Sequence, residues 1–258
     1  MNEAVEEGTM TFWEHLEELR SRLIKMILAF AVGAAVAWIF KTQLLEFVAR
    51  PFIEAWNSEK GRPTINFPHP AALFIAYIKL CVLGGLVLSL PVLLYQIWAF
   101  VAPGLYAKEK RFAIPFVFSS CALFAGGGYF GWKVAFPIGF RYLLGFADEQ
   151  MASGLEIRPT IMIGDYVEFL TRMFIAFGAV FEIPVVVFFL SVIGVINHTH
   201  LIKFARYFIV IAFILGAIIT PPDPMSQLLL AVPLIVLYSV SIVIAWIFGR
   251  KKAEEPAS

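Results

Sequence analysis

Residues 80–107 of this 258-residue chain read LCVLGGLVLSLPVLLYQIWAFVAPGLYA, a run of 28 residues without Asp, Glu, Lys or Arg. A helix that crosses a bilayer needs about 20 mostly apolar residues, so this run is long enough to span a membrane. The whole chain has the same character, because 60% of its residues are hydrophobic and only 15% are charged. Soluble domains carry about 25% charged residues. The composition therefore excludes a water-soluble enzyme and a disordered chain, and it predicts an integral membrane protein.

Further charge-poor runs predict an all-α, polytopic membrane protein with six transmembrane helices. The run over residues 173–202 is interrupted once, by Glu182, and the first run reaches spanning length if Lys25 extends to the interface. A β-barrel does not fit, because the apolar residues do not alternate with polar ones. The predicted spans lie near residues 23–41, 71–101, 112–132, 166–193, 206–220 and 226–248.

The distribution of basic residues predicts the orientation of the chain. An even number of spans places both termini on the same side of the membrane. Arg250, Lys251 and Lys252 directly follow the last span, and basic residues favour the cytoplasmic side. We therefore expect residues 1–22 to form an amphipathic cytoplasmic start and residues 249–258 to form a cytoplasmic tail.

The segments predicted to lie outside have two unusual features. Segments of about 42–70 and 133–165 are long and rich in Pro and Gly, and we expect them to form periplasmic caps along the membrane face. Helices five and six are predicted to be short. Only 14 residues separate Arg206 from Pro221. As a helix they extend about 21 Å, less than a hydrocarbon core of about 30 Å, so we expect the bilayer to thin locally there.

Two acidic residues are candidates for binding cationic groups on the cytoplasmic side. Glu18 lies in the helix that enters the first span, where it either forms an ordinary i,i+4 ion pair with Arg22 or presents its carboxylate to an arginine of another molecule. Glu109 lies in the loop between spans two and three and is either a solvated acid or a second such carboxylate. Acting together, the two acids could bind adjacent guanidinium groups by bidentate hydrogen bonds, which lysine would fit less well.

Glu182 is the most informative single residue, because it lies near the middle of span four. An ionised carboxylate at that depth costs on the order of 3 kcal/mol or more, so such residues usually face a partner, a wet cavity or the bundle interior. The alternative is a neutral Glu that bonds to a nearby Ser or Thr. Pro184 is expected to kink the helix beside it.

The remaining polar residues give no catalytic or metal-binding pattern. His198 and His200 lack a third ligand nearby, and Cys81 and Cys121 lie within apolar runs where small buried residues are expected. We therefore predict that the protein is not an enzyme and needs no metal or other cofactor. The net charge of +1 gives no reason to expect a nucleic-acid partner.

Four stretches resemble the TatC family, the multispanning signal-peptide receptors of the twin-arginine protein translocase. They are FWEHLEELRSR at 12–22, FVAPGLYAKE at 100–109, FEIP at 181–184 and TPPD at 220–223. The resemblance implies a six-helix, cup-shaped protein of the cytoplasmic (inner) membrane. Such a protein binds the twin-arginine signal peptides of folded cargo and forms an oligomeric assembly with TatA and TatB. Export by that assembly is driven by the proton gradient.

The resemblance also implies roles for individual residues. The signal-peptide site would consist of Glu18 and Glu109, with Leu16, Arg20, Arg22 and Phe100 around them. Residues that bind partner helices would be Glu182, Thr220 and Gln227. Structural or coupling residues would be Pro51, Pro184, Pro221 and Asp223.

The residues alone leave a second function open, a proton-coupled small-solute transporter with Glu182 as its proton relay. Such a protein needs a pathway lined by further polar groups, and spans two and three supply almost none.

Overall fold

The structure, a computed structural model, describes residues 12–56, 63–101, 113–151, 160–220 and 223–249. Within these ranges the chain is almost entirely helical, as the long charge-poor runs predict. The elements are α1 (Phe12–Ile39), α2 (Lys41–Ala55), β1 (Ile65–Asn66), α3 (Ala71–Val101), α4 (Ala113–Phe130), a π-helical turn (Gly131–Ala135), α5 (Phe136–Met151), β2 (Ile161–Met162), α6 (Ile163–Phe181), α7 (Ile183–Val192), α8 (His198–Ile219) and α9 (Pro224–Phe248).

The long helices correspond to the predicted membrane spans. Helix α4 corresponds to the third predicted span, and its 18 residues extend about 27 Å. The other five predicted spans coincide with stretches that are long and apolar enough to cross a membrane. These stretches are Trp13–Ile39, Ala71–Phe100, Ile163–Val192, His198–Ile219 and Pro224–Phe248.

Span five begins before the predicted boundary. Helix α8 starts at His198 because the side-chain oxygen of Asn197 accepts hydrogen bonds from the backbone N–H groups of Thr199 (3.0 Å) and His200 (3.2 Å). The helix has 22 residues, and α9 has 25. The prediction of a short fifth helix therefore holds only for the uncharged part of α8 that follows Arg206. The whole helix, with 22 residues, is long enough to cross a membrane.

Helices α2 and α5 form a cap at one end of the bundle, and we call this pair of helices the cap. The ring of Phe47 in α2 stacks on Trp132, with 4.7 Å between the centroids, and the Trp132 Nε1–H donates to the Phe47 carbonyl at 3.0 Å. The Tyr166 hydroxyl in α6 donates to the Val48 carbonyl at 2.9 Å. Strands β1 and β2 pair in parallel, with Ile65 opposite Ile161, and they join the segments that follow α2 and α5.

Small residues allow the membrane helices to approach closely. A Cβ atom placed on Gly85 of α3 would lie 2.7 Å from the backbone nitrogen of Ala34 in α1, and one on Gly33 would lie 2.7 Å from the Gly85 carbonyl oxygen. Gly127 of α4 packs in the same way on the backbone of Phe177 in α6. Such contacts are typical of helix packing in lipid, where apolar burial gives little driving force between helices.

Candidate functional site

The N-terminal end of α1 and the C-terminal end of α3 meet at the end of the bundle opposite the cap. The guanidinium of Arg22 donates to Glu18 Oε1 from Nε, at 2.9 Å, and from Nη2. Its third nitrogen, Nη1, reaches Gln96 Oε1 of α3 at 3.3 Å. The Glu18 and Arg22 side chains keep 22% and 18% of their surface exposed. The i,i+4 pair is therefore formed, and it is anchored to a second helix.

Two further residues, which the sequence analysis did not select, complete this end of the bundle. His15 stacks on Phe100, with 4.6 Å between the ring centroids. Gln96 is only 8% exposed. A lone amide near the end of an otherwise apolar span is a signal that could have identified Gln96. We call Glu18, Arg22, Gln96, His15 and Phe100 the α1–α3 site.

The other predicted signal-peptide residues lie around the site or outside the described ranges. Leu16 and Arg20 are on exposed parts of α1, beside the α1–α3 site. Glu109 lies outside the described residues, so its proximity to Glu18 stays a prediction. Within the described part of the chain, Glu18 Oε2 accepts no hydrogen bond, and the Glu18 side chain is partly exposed.

Glu182 lies at a break between two helices, since α6 ends at Phe181 and α7 begins at Ile183. The break comes where Pro184, which lacks an N–H group, interrupts the helical hydrogen bonds. Glu182 is half-buried, and its Oε1 atom is buried without a hydrogen-bond partner among the described residues. Its polar neighbour is Ser120 of α4, whose hydroxyl accepts a hydrogen bond from Trp98 Nε1 at 3.1 Å.

The hairpin of α8 and α9 holds the other predicted partner-binding residues. The Thr220 hydroxyl, in a residue that is 6% exposed, donates to the Gly216 carbonyl at 2.9 Å. The Gln227 amide nitrogen donates to the Phe213 carbonyl at 2.8 Å, so it fastens α9 to α8. In the described ranges the Gln227 amide oxygen accepts no hydrogen bond. Both residues therefore make contacts within the chain, and Gln227 keeps one acceptor.

The predicted structural residues occupy distinct positions. Pro51 is fully buried inside α2. Asp223 is the N-cap of α9, and its Oδ1 accepts a hydrogen bond from the Ser226 N–H at 2.7 Å. The other Asp223 oxygen is buried without a partner among the described residues. Pro221 lies outside the described residues.

An ion cluster near the cap was not predicted. Lys79 Nζ of α3 lies 2.7 Å from Glu168 Oε2 of α6, and Arg172 pairs with the other oxygen of the same carboxylate. These charges lie inside the predicted spans near 71–101 and 166–193, but the sequence does not show which of them meet in the fold. Their pairing joins α3 to α6.

The long apolar helices and these polar positions define a polytopic helical membrane protein. Residues 14–233 match the sequence model of a known protein family, the Sec-independent protein translocase protein (TatC) family. The chain belongs to the TatC family. It is therefore a multi-pass membrane component of a protein translocase and not an enzyme, and this membership favours protein translocation over small-solute transport.

Curated relatives match over nearly the full length. The Sec-independent protein translocase protein TatC of Desulforapulum autotrophicum is 40% identical over 247 residues, which cover 96% of this chain and 88% of the relative. The protein of the same name from Aquifex aeolicus is 38% identical over 245 residues, which cover 95% and 98%.

Solved structures agree with the fold. Two crystal structures of a twin arginine translocase receptor, TatC, the second in DDM, superpose with TM-scores of 0.79 and 0.80. Their sequences are 37% and 36% identical to this chain, and the matches cover 90% of it and 98% and 99% of theirs. The predicted resemblance to the family is confirmed, and so is the predicted fold class, an all-α, cup-shaped bundle of transmembrane helices.

Proposed function

We propose that this chain is the receptor and core scaffold of a twin-arginine translocase in the cytoplasmic membrane, with both termini in the cytoplasm. It binds twin-arginine signal peptides of folded proteins and assembles with TatA- and TatB-type single-span proteins for export driven by the proton gradient. The observation that carries this proposal is the α1–α3 site, where the Glu18 carboxylate is held in place and keeps one oxygen without a hydrogen bond among the described residues.

The α1–α3 site can bind a guanidinium at Glu18 Oε2, because a guanidinium can donate two N–H groups to one oxygen, as Arg22 does to Oε1. Arg22 binds Glu18 Oε1 and is itself anchored on Gln96, so the carboxylate is held in one orientation before a ligand arrives. A guanidinium from the signal peptide binds Glu18 Oε2, and the second guanidinium binds Glu109. Charge-assisted hydrogen bonds of this kind are about twice as strong as neutral ones. Leu16 and Phe100 supply apolar surface for the residues that flank the arginine pair, and Arg20 lies at the edge.

Glu182 serves the assembly with partner helices. A carboxyl oxygen that is buried without a partner destabilises the isolated chain by about 1–3 kcal/mol. A polar group on a TatA- or TatB-type helix removes this penalty when it docks, so the penalty becomes part of the affinity for the partner. Gln227 offers a further acceptor, and Thr220 lies at the end of the same helix pair.

The prolines and Asp223 keep these surfaces in position. Pro51 is packed inside the cap, Pro184 sets the break that presents Glu182, and Asp223 begins α9. The role of Pro221, which lies outside the described residues, is proposed from the sequence alone. We assign them a structural role that couples the cap to the membrane helices.

Photo-crosslinking tests the receptor function. A photoreactive residue at position 16 or 100 should label a twin-arginine peptide strongly and a Lys-Lys peptide weakly. The control is position 228 at the start of α9, which is exposed but lies at the other end of the molecule and should label neither peptide. Equal labelling by the two peptides from position 16 would contradict the proposed recognition.

A further inference from the structure

A cavity of about 360 Å³ lies where α1, α2, α3, the π-helical turn and α6 meet. Every residue that lines it is apolar or aromatic, including Phe40, Leu44, Leu83, Val87 and Phe174. Among the described residues that line it, the only polar side-chain group is the Trp132 indole N–H, and it already donates to the Phe47 carbonyl. A buried water needs two to four polar partners, so the cavity suits neither water nor a polar ligand.

The size and surroundings of the cavity fit a hydrocarbon chain. Part of its wall, including Phe40 and Leu88, is exposed on the apolar surface of the bundle, so the cavity opens toward the lipid. A methylene group is about as large as a water molecule, which takes roughly 30 Å³ in the liquid. The cavity volume therefore corresponds to roughly a dozen methylene groups of an acyl chain.

Two lysines lie beside the cavity, each next to a tryptophan. Lys41 follows Phe40 and precedes Leu44 by three residues, so it shares a face of α2 with this lining residue. Its Nζ lies 4.9 Å from the centroid of the Trp38 ring. Lys133 follows Trp132, and its Nζ lies 5.9 Å from that ring and 3.9 Å from Glu54 Oε2.

The two lysines differ in how their charge is compensated. Lys133 has a carboxylate nearby, whereas Lys41 has no carboxylate within 4.0 Å among the described residues. Lysine beside tryptophan is typical of the membrane interface. An uncompensated ammonium group at the edge of a wholly apolar cavity complements a molecule with an anionic head and an apolar tail.

We propose that this cavity is a lipid site that takes one acyl chain of an anionic phospholipid, with the phosphate of the headgroup paired to Lys41. The bound chain fills the space behind the cap and supports the contact between Trp132 and Phe47. This site is separate from the α1–α3 site and does not depend on signal-peptide recognition.

Tryptophan quenching in nanodiscs tests the site. The purified chain is placed in phosphatidylcholine bilayers that contain increasing fractions of phosphatidylglycerol with brominated acyl chains, or of brominated phosphatidylcholine. The contribution of Trp132 is the difference in quenching between the original chain and the Trp132→Phe variant. Phosphatidylglycerol should quench at an about fivefold lower mole fraction, the factor expected for one lysine near an anionic lipid.

Variants separate the headgroup contact from the cavity. Lys41→Gln should remove the preference for phosphatidylglycerol and Lys41→Arg should keep it, while the matched control Lys203→Gln, an exposed lysine on α8, should leave it unchanged. Val87→Phe should reduce the Trp132 quenching by both lipids. The comparison of phosphatidylglycerol with phosphatidylcholine in the original chain uses no cavity variant. It therefore still tests the proposal if Val87→Phe does not fold. Equal quenching by the two lipids, or an unchanged preference in Lys41→Gln, would overturn the proposal.

Discussion

Replacing Glu182 by methionine should stabilise the purified chain and weaken its assembly with partner proteins. Glu182 Oε1 is buried without a hydrogen-bond partner among the described residues. Such a group costs about 1–3 kcal/mol, and because Ser120 interacts with the carboxyl group we expect the lower end, about 1 kcal/mol. Methionine fills a similar volume and adapts to irregular packing, so Glu182→Met should remove this penalty without leaving a void.

Thermal unfolding in detergent, followed by tryptophan fluorescence, measures this effect. A change of 1 kcal/mol shifts the Tm of a protein of this size by about 2–4 °C, so Glu182→Met should unfold at a higher temperature by that amount. The control is Glu168→Met in the preceding helix, α6. Its carboxylate pairs with Lys79 and Arg172, and all three side chains are exposed, so its loss removes weakly stabilising ion pairs and this variant should not unfold at a higher temperature than the original chain.

Two results would refute this reasoning. A Tm that falls by several degrees in Glu182→Met would mean that the carboxyl group stabilises the isolated chain. A stabilised Glu182→Met chain that still copurifies with single-span partners as well as the original chain would leave Glu182 without a role in assembly.

Three further predictions concern packing, capping and the α1–α3 site. Gly85→Ala should lower the unfolding free energy by about 1–3 kcal/mol because its Cβ would meet the α1 backbone, whereas Gly126→Ala, with nothing within 4 Å of its Cβ, should unfold like the original chain. Asp223→Ala should lose about 1 kcal/mol of stability with the N-cap of α9, and Asp223→Asn, which keeps a capping oxygen, should restore it in the same unfolding assay. Gln96→Leu releases the second anchor of Arg22 and should weaken twin-arginine peptide binding by about 0.5–1.5 kcal/mol in a fluorescence titration, and unchanged affinity would mean that the anchor does not matter.

The membrane helices could be predicted because lipid imposes one simple requirement, a long stretch without charge. The predicted span at 71–101 has the same limits as α3. The boundaries of other helices could not be predicted in this way, because charges mark the edge of the hydrocarbon layer and not the end of a helix. Asn197 caps α8 inside the charge-poor run at 173–202, so the helix begins before Lys203 and Arg206 interrupt the apolar sequence. Helix α4 continues through the π-helical turn into α5.

The α1–α3 site could be predicted only where its contacts are local. Glu18 and Arg22 are four residues apart on one helix, so their pairing follows from helical spacing. Gln96 lies 74 residues beyond Arg22, and Glu168 lies 89 residues beyond Lys79. Those contacts depend on how the helices pack against one another. Sequence spacing alone therefore does not predict which of these residues pair.

The central claim is that Glu18 and Glu109 bind two guanidinium groups, and a double-mutant cycle on peptide affinity tests it most directly. Each of Glu18→Gln and Glu109→Gln should weaken a labelled twin-arginine peptide by about 1.5–3 kcal/mol, the contribution of a hydrogen bond to a charged group. Each loss should shrink when the peptide lacks the corresponding arginine. Glu17→Gln, an exposed neighbour on the same helix, should bind like the original chain. Unchanged affinity in Glu18→Gln and Glu109→Gln, or equal affinity for a Lys-Lys peptide, would contradict the account.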